Sequence, residues 1–163
     1  MVTHSGLVLH VRPARVEDEA ALARFFEEVT NEDRRFRFLS SVRVGHEQLA
    51  SMTAVDHHQT ESFVALGEDG ATILGTAMLA CDPSLEVGEV AISVSGNHKN
   101  RGIGWELLRH VERFATTKGV KRLMSLENRA NKSAIQIEQE LGFDAQSYDG
   151  DMTLVLLQKS LAA

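Results

Sequence analysis

Residues 88–108, Gly-Glu-Val-Ala-Ile-Ser-Val-Ser-Gly-Asn-His-Lys-Asn-Arg-Gly-Ile-Gly-Trp-Glu-Leu-Leu, constrain this chain more than any other stretch. Positions 89–94 are apolar and partly β-branched, as in a buried strand. A polar corner follows over 95–101. Gly102 and Gly104 then open a segment in which Leu107, Leu108, Val111, Phe114 and Ala115 recur at helical spacing. Strand, glycine corner and helix leave the first backbone N–H groups of the helix pointing outward. With the positive end of the helix dipole they form an anion site suited to a phosphate, and glycine lets that phosphate reach the backbone.

A bare Gly-x-Gly before a helix is most often only a tight turn. Walker A requires Gly-x-x-x-x-Gly-Lys-Ser/Thr, and no such run occurs. The Rossmann pattern fails because Leu107 stands where its third glycine belongs. What remains is Lys99-Asn100-Arg101-Gly102-Ile103-Gly104. This run resembles the acyl-CoA pyrophosphate loop of the GCN5-related N-acetyltransferase (GNAT) superfamily, Gln/Arg-x-x-Gly-x-Gly/Ala, with Lys99 departing at the first position. A second resemblance lies downstream over 126–143, where Asn131 precedes the Gly142 of Leu-Gly-Phe by eleven residues, as in the superfamily's other hallmark. Both motifs occur in order, covering residues 86–143. The resemblance implies an α/β GNAT fold, a mixed and mostly antiparallel central sheet flanked by helices. It also implies acetyl-CoA as the donor substrate, bound by Lys99, Asn100, Arg101, Gly102, Ile103 and Gly104, with Asn131 contributing.

Composition sets the frame around this motif. A chain of 163 residues is one domain, 1–163, by length. Its 43% hydrophobic and 25% charged residues are ordinary for a globular protein, and a net charge of −6 does not suggest a nucleic-acid partner. No apolar run approaches the roughly 20 residues of a membrane span, and the first residues lack signal-peptide character. Cys81 stands alone, which excludes an internal disulfide and fits a reducing, cytoplasmic setting. Its expected role is a small buried hydrophobe.

Alternation predicts a first strand over 7–12, ended by Pro13. Helical spacing predicts helices over 17–29, from Asn31 as a cap, and over 45–52. In GNAT folds this helical region borders the acceptor groove. Strands are predicted over 62–66 and 71–80, joined by the turn at Glu68-Asp-Gly70. Gly88 marks either a bulge or a strand edge. The long helix should end at Lys118-Gly119, followed by a strand over 122–126, a helix over 133–141 and strands over 143–148 and 152–158 around Asp149-Gly150.

Acetyl transfer from a thioester to an amine requires that the amine lose a proton, the carbonyl be polarised and the departing thiolate gain a proton. Glu89 is the candidate base, at the start of the central strand among apolar neighbours able to raise its pKa. The plain alternative is a solvated glutamate on a strand. The segment is similar to bacterial protein-lysine acetyltransferases of the Pat type, whose general base precedes the first loop glycine by thirteen residues, the spacing of Glu89 to Gly102. Residues 31–38 and 55–64 are also similar to segments of those domains. By position, the resemblance makes Ile92, Ser93 and Val94 the cofactor-lining residues of the central strand. Where many GNAT enzymes carry a tyrosine acid, four residues before the Gly of Leu-Gly-Phe, this chain has Glu138. The expectation is therefore a water, or no acid, at the thiolate, with Tyr148 a weak substitute.

Other residues have plainer readings. His57, His58, Asp56 and Glu61 do not complete a zinc set, so no metal is expected. His98 is a solvated loop residue or a phosphate contact. Arg34, Arg35 and Arg37 either steer an acidic acceptor or form a solvated helix face. Trp105 packs. The leading expectation is an acetyl-CoA-dependent N-acetyltransferase acting on protein lysine. A small-molecule amine acetyltransferase is the enzymatic alternative, and an acyl-CoA-binding sensor the non-catalytic one. A homodimer is compatible with the sequence.

Overall fold

The computed structural model describes residues 3, 6–30, 32–33, 46–99 and 101–161. Over these the chain runs β1 (His10–Pro13), α1 (Glu19–Glu28), α2 (His46–Thr53), β2 (Thr60–Leu66), β3 (Ile73–Cys81) and β4 (Val87–Val94). It continues through α3 (Ile103–Lys118), β5 (Arg122–Asn128), α4 (Lys132–Glu140), β6 (Asp144–Ser147) and β7 (Leu154–Ser160). The strands form a seven-stranded sheet in the order β1-β2-β3-β4-β5-β7-β6. Every neighbouring pair is antiparallel except β4 with β5. This is the mixed, mostly antiparallel α/β arrangement expected from the sequence.

Strand alternation sends successive side chains to opposite faces, and the sheet has a core on each. Phe63 and Ala65 of β2 join Leu107, Leu108 and Val111 of α3 in one cluster. Val64 and Leu66 join Leu22, Phe25 and Phe26 of α1 and Leu49 of α2 in the other. Because both faces are covered, β2 is buried from Glu61 to Leu66, which explains why its sequence is an apolar run without clean alternation.

Several element limits move for physical reasons. β1 begins only at His10 and includes Pro13, which pairs with Phe63 at the end of an outer strand, where a missing N–H is tolerated. β4 begins at Val87, and its register against β3 is continuous from Cys81↔Gly88 to Gly75↔Val94, so Gly88 is no bulge. It is a close-approach position: a Cβ there would lie 2.7 Å from Leu79 Cδ1. α1 starts later than its periodicity suggests, after a 3-10 turn over Val16–Asp18. Asp18 there accepts 2.7 and 2.8 Å hydrogen bonds from the Arg12 guanidinium and one from the Arg15 N–H. Glu32 and Asp33 are helical. The expected cap at Asn31 and the arginines 34, 35 and 37 lie outside the described residues.

Candidate active site

β4 and β5 part company early. Their parallel pairing covers Val87↔Arg122, Gly88↔Leu123 and Glu89↔Met124. Beyond it β4 stays with β3 as far as Val94, while β5 stays with β7 as far as Asn128. The result is a fork with Glu89 at its vertex and the backbone edges of 90–94 and 125–128 facing across the opening. Backbone N–H and C=O groups on such edges need partners. A cleft of about 320 Å³ occupies the fork. Of the residues expected at the site, Glu89, Ile92, Ser93, Val94, Lys99, Gly102, Ile103, Gly104 and Asn131 line it. Arg101 is exposed and is not among the lining residues. Asn100 lies outside the described residues.

The open end of the cleft is the glycine corner. A 3-10 turn over Gly96–His98 leads out of β4. Gly102 then takes φ +87°, in the left-handed region where a side chain is strained, and α3 starts at Ile103. The first intrahelical N–H acceptor pair is Glu106 N to Gly102 O at 3.0 Å, so the N–H groups of 103–105 have no partner within the helix by its geometry. α3 is seated by Gly75 of β3, where a Cβ would approach Ile103 Cγ2 to 2.8 Å and Leu107 Cδ1 to 2.9 Å. Lys99, one of the expected cofactor-binding residues, borders the cleft and forms a 2.8 Å ion pair with Asp33. The His98 ring nitrogen lies 3.4 Å from Ser95 Oγ, and the ring borders the cleft.

The carboxylates depart most from expectation. Glu89 is exposed, without the apolar enclosure expected of it. The enclosed carboxyl of the cleft is Glu138, 5% exposed on α4. Burial, and then the neighbouring negative charge of Glu127, push its pKa up to about 8. Glu127 is itself held by Ser125 Oγ, which donates at 2.9 Å, and by Asn131 Nδ2, which donates at 3.2 Å. Asn131 thus serves to anchor a carboxylate as well as to begin α4. Glu138 Oε2 and Ser93 Oγ are buried without a hydrogen-bond partner among the described residues, and both residues border the cleft. In the sequence Glu138 reads only as the place of a missing tyrosine. The signal was present, because Glu138 lies midway between Ile135 and Leu141 at three-residue steps, on the helix face that packs against the core.

The remaining candidates fall away from the cleft. His57 Nδ1 lies 2.8 Å from Glu61 Oε1, and Asp56 Oδ1 accepts from the N–H groups of His58, Gln59 and Thr60, so this segment is a turn closed on itself. Lys118 Nζ donates to the carbonyls of His57 and His58. Tyr148 is exposed beyond the end of β6 and does not border the cleft. Trp105 carries the Arg109 guanidinium 4.9 Å from its ring centroid. Cys81 is buried, and burial pushes its thiol up, consistent with a packing role.

Comparison with known proteins places this geometry. An acetyltransferase PA5475 of Pseudomonas aeruginosa is 25% identical over 154 residues, covering 93% of this chain and 83% of that protein. The GNAT domain of S. lividans PAT superposes with a TM-score of 0.91 at 23% identity, covering 98% of this chain and 94% of that one. A phosphinothricin acetyltransferase of Sinorhizobium meliloti, solved in complex with AcCoA, superposes at 0.74 with 18% identity, covering 94% and 89%. The model of the acetyltransferase (GNAT) family matches residues 21–143, from α1 through the fork and the glycine corner to the end of α4. The chain is an acetyltransferase belonging to the GNAT family.

Proposed function

We propose that this enzyme transfers the acetyl group of acetyl-CoA to a primary amine, with a protein lysine side chain as acceptor and Glu89 as general base. The observation that carries the reading is the fork itself. Five residues of strand at about 3.3 Å each separate the Glu89 vertex from Val94 beside the glycine corner, about 16 Å in all. That span suits an extended pantetheine arm, with diphosphate at one end and thioester towards the other. The N–H groups of Ile103, Gly104 and Trp105 would take the diphosphate. The inner backbone edge of Ile92, Ser93 and Val94, with the orphaned Ser93 Oγ, would take the amide groups of the arm.

The acceptor enters from the vertex. A lysine amine has a reference pKa near ~10.4 and arrives charged, so a base is needed. Glu89 is exposed, which leaves it open to an amine carried on a folded protein surface. The thirteen-residue spacing from Glu89 to Gly102, shared with Pat-type domains, supports the same acceptor. The competing reading, a small-molecule amine, draws on the AcCoA-bound phosphinothricin acetyltransferase that shares the fold. Incubation with labelled acetyl-CoA, lysine-containing proteins and a panel of small amines decides between them. Label on protein lysines supports the proposal. Rapid acetylation of a small amine, with no protein labelled, overturns it.

A further inference from the structure

The carboxyl groups bordering the cleft divide between the two faces of the sheet. Leu123 packs in the α3 cluster, and alternation along β5 sends Glu127 to the same side, next to Glu138 of α4. Glu89 faces the other way. Val64 packs with α1, and the register carries that face through Thr76 to Ser93 and, by alternation along β4, to Glu89. Asp33, which follows α1, borders the cleft as well. Among the described residues Lys99 is the one lysine or arginine that borders it, against Asp33, Glu89, Glu127 and Glu138. An acidic cleft favours a cationic acceptor.

Asp33 is placed by contacts between the end of α1 and the glycine corner. A Cβ on Gly96 would lie 2.6 Å from the Glu28 carbonyl oxygen, so a glycine is what lets the corner come this close. Asn97 Nδ2 donates to Glu28 Oε2 at 2.5 Å, and the Asp33 N–H donates to Thr30 Oγ1 at 3.1 Å. The Asp33 side chain is 20% exposed, and its ion-pair partner among the described residues is Lys99. A diphosphate at the start of α3 would draw on the same lysine. With Lys99 turned towards it, a partly buried carboxylate stands beside a phosphate, and a charge so placed needs another cation.

We propose that Asp33 is an acceptor-specificity residue, which binds a second positive charge on the acceptor once the bound donor has drawn Lys99 away. The inference rests on the amine transfer proposed above, with the reacting amine at Glu89. The acceptor then lies along the α1 face of β4, its reacting end at Glu89 and its second cation at the corner, about 16 Å away by strand length. An extended peptide covers that span in about five residues, so the recognised chemistry is a lysine with another basic residue a few positions away. A diamine of matching length presents the same two charges. Donor and acceptor also assist one another. Each takes one member of the Lys99–Asp33 pair, so whichever binds first has already separated the pair for the other, and the coupling is reciprocal.

The test measures acceptor binding by calorimetry with and without CoA, which carries the diphosphate and has no acetyl group to transfer. The probes are capped peptides with one lysine, with or without an arginine about two to six residues away, and alkyl monoamines and diamines. Arginine supplies a charge that is always present. With CoA bound, the second charge should tighten binding to the wild type roughly fivefold, and by less without CoA. Asp33→Asn should lose this gain, and Asp33→Glu should restore it. Lys99→Gln should show the gain without CoA, because the competitor for Asp33 is gone. Added salt should erase it. A second charge that gives no gain in the wild type with CoA, or a gain that Asp33→Asn keeps, overturns the proposal. If Asp33→Asn does not fold, a gain in Lys99→Gln that still requires CoA does so. Acetyl transfer to the same probes separates this outcome from the reading beneath it. Label on diamines and not on peptide lysines overturns the protein acceptor, while the binding gain still decides Asp33. Label on peptides, with no gain from the arginine, overturns Asp33 and supports the protein acceptor.

Discussion

Lys99 Nζ and an Asp33 carboxylate oxygen lie 2.8 Å apart, tying the glycine corner to the segment that follows α1. The pair bridges positions sixty-six residues apart in the chain and borders the cleft. It satisfies the charge of Lys99 within the protein, so a diphosphate competes with Asp33 for that side chain. Partly exposed pairs of this kind are worth about 0–1 kcal/mol. Asp33→Asn should therefore tighten acetyl-CoA binding by up to about fivefold in calorimetry. The gain should fade as salt is added, because screening weakens both the pair and its competitor.

The two loop glycines should respond differently. Gly102 has φ +87°, so any side chain there is strained before a ligand arrives. Gly104 lies inside α3, and its Cβ would meet Ile137 Cδ1 at 3.5 Å and Val94 Cγ2 at 3.7 Å, ordinary contacts. Gly104→Ala should raise the melting temperature, since glycine within a helix costs about 0.5–1 kcal/mol relative to alanine. It should keep acetyl-CoA affinity within a few-fold. Gly104→Glu fills the same space with a negative charge and should abolish the stabilisation that acetyl-CoA gives in thermal melts. Unchanged acetyl-CoA affinity in Gly104→Glu would remove the corner from the binding site.

Glu89 at the fork vertex should matter for turnover and not for binding. Glu89→Gln should bind acetyl-CoA as the wild type does and lose roughly 10²–10⁴-fold in kcat. The deficit should shrink at alkaline pH, where more of the amine is already neutral. A Gln variant with full activity at pH 7 would exclude Glu89 as the base.

The raised pKa of Glu138 makes stability depend on pH in a definite direction. The unfolded chain loses this proton near its ordinary value of 4.5, whereas the folded chain keeps it to about 8. Between those values the native state binds more protons, so stability falls as pH rises, by up to about 1.4 kcal/mol per pH unit for one proton. His110 acts oppositely at the acid end. Its pKa is lowered by burial and by Arg113, so the native state binds fewer protons there and stability rises with pH. Comparing urea denaturation of the wild type with Glu138→Gln from pH 5 to 8.5 cancels the histidine contribution. The wild type should lose stability relative to the variant across this range, and parallel curves would contradict the burial-driven shift.

Local physics made much of the molecule legible. The helix after the glycine corner follows from apolar residues at Leu107, Leu108, Val111 and Ala115, and its end from Lys118 and a glycine at 119 with φ +86°. These features depend on neighbours within a few residues, so the amino-acid order alone determined them. It also determined the glycine corner and the downstream Asn131 and Leu-Gly-Phe pattern, whose spacings point to the GNAT family. Tertiary structure decided what the carboxylates experience. Whether Glu89 is exposed depends on β4 and β5 parting directly after it, a property of the pairing between residues thirty-five apart in the chain. Whether Glu138 is buried depends on α4 packing against the sheet and placing it beside Glu127. Desolvation and the proximity of charges are set by what the folded chain brings near, and no short window of sequence contains that information.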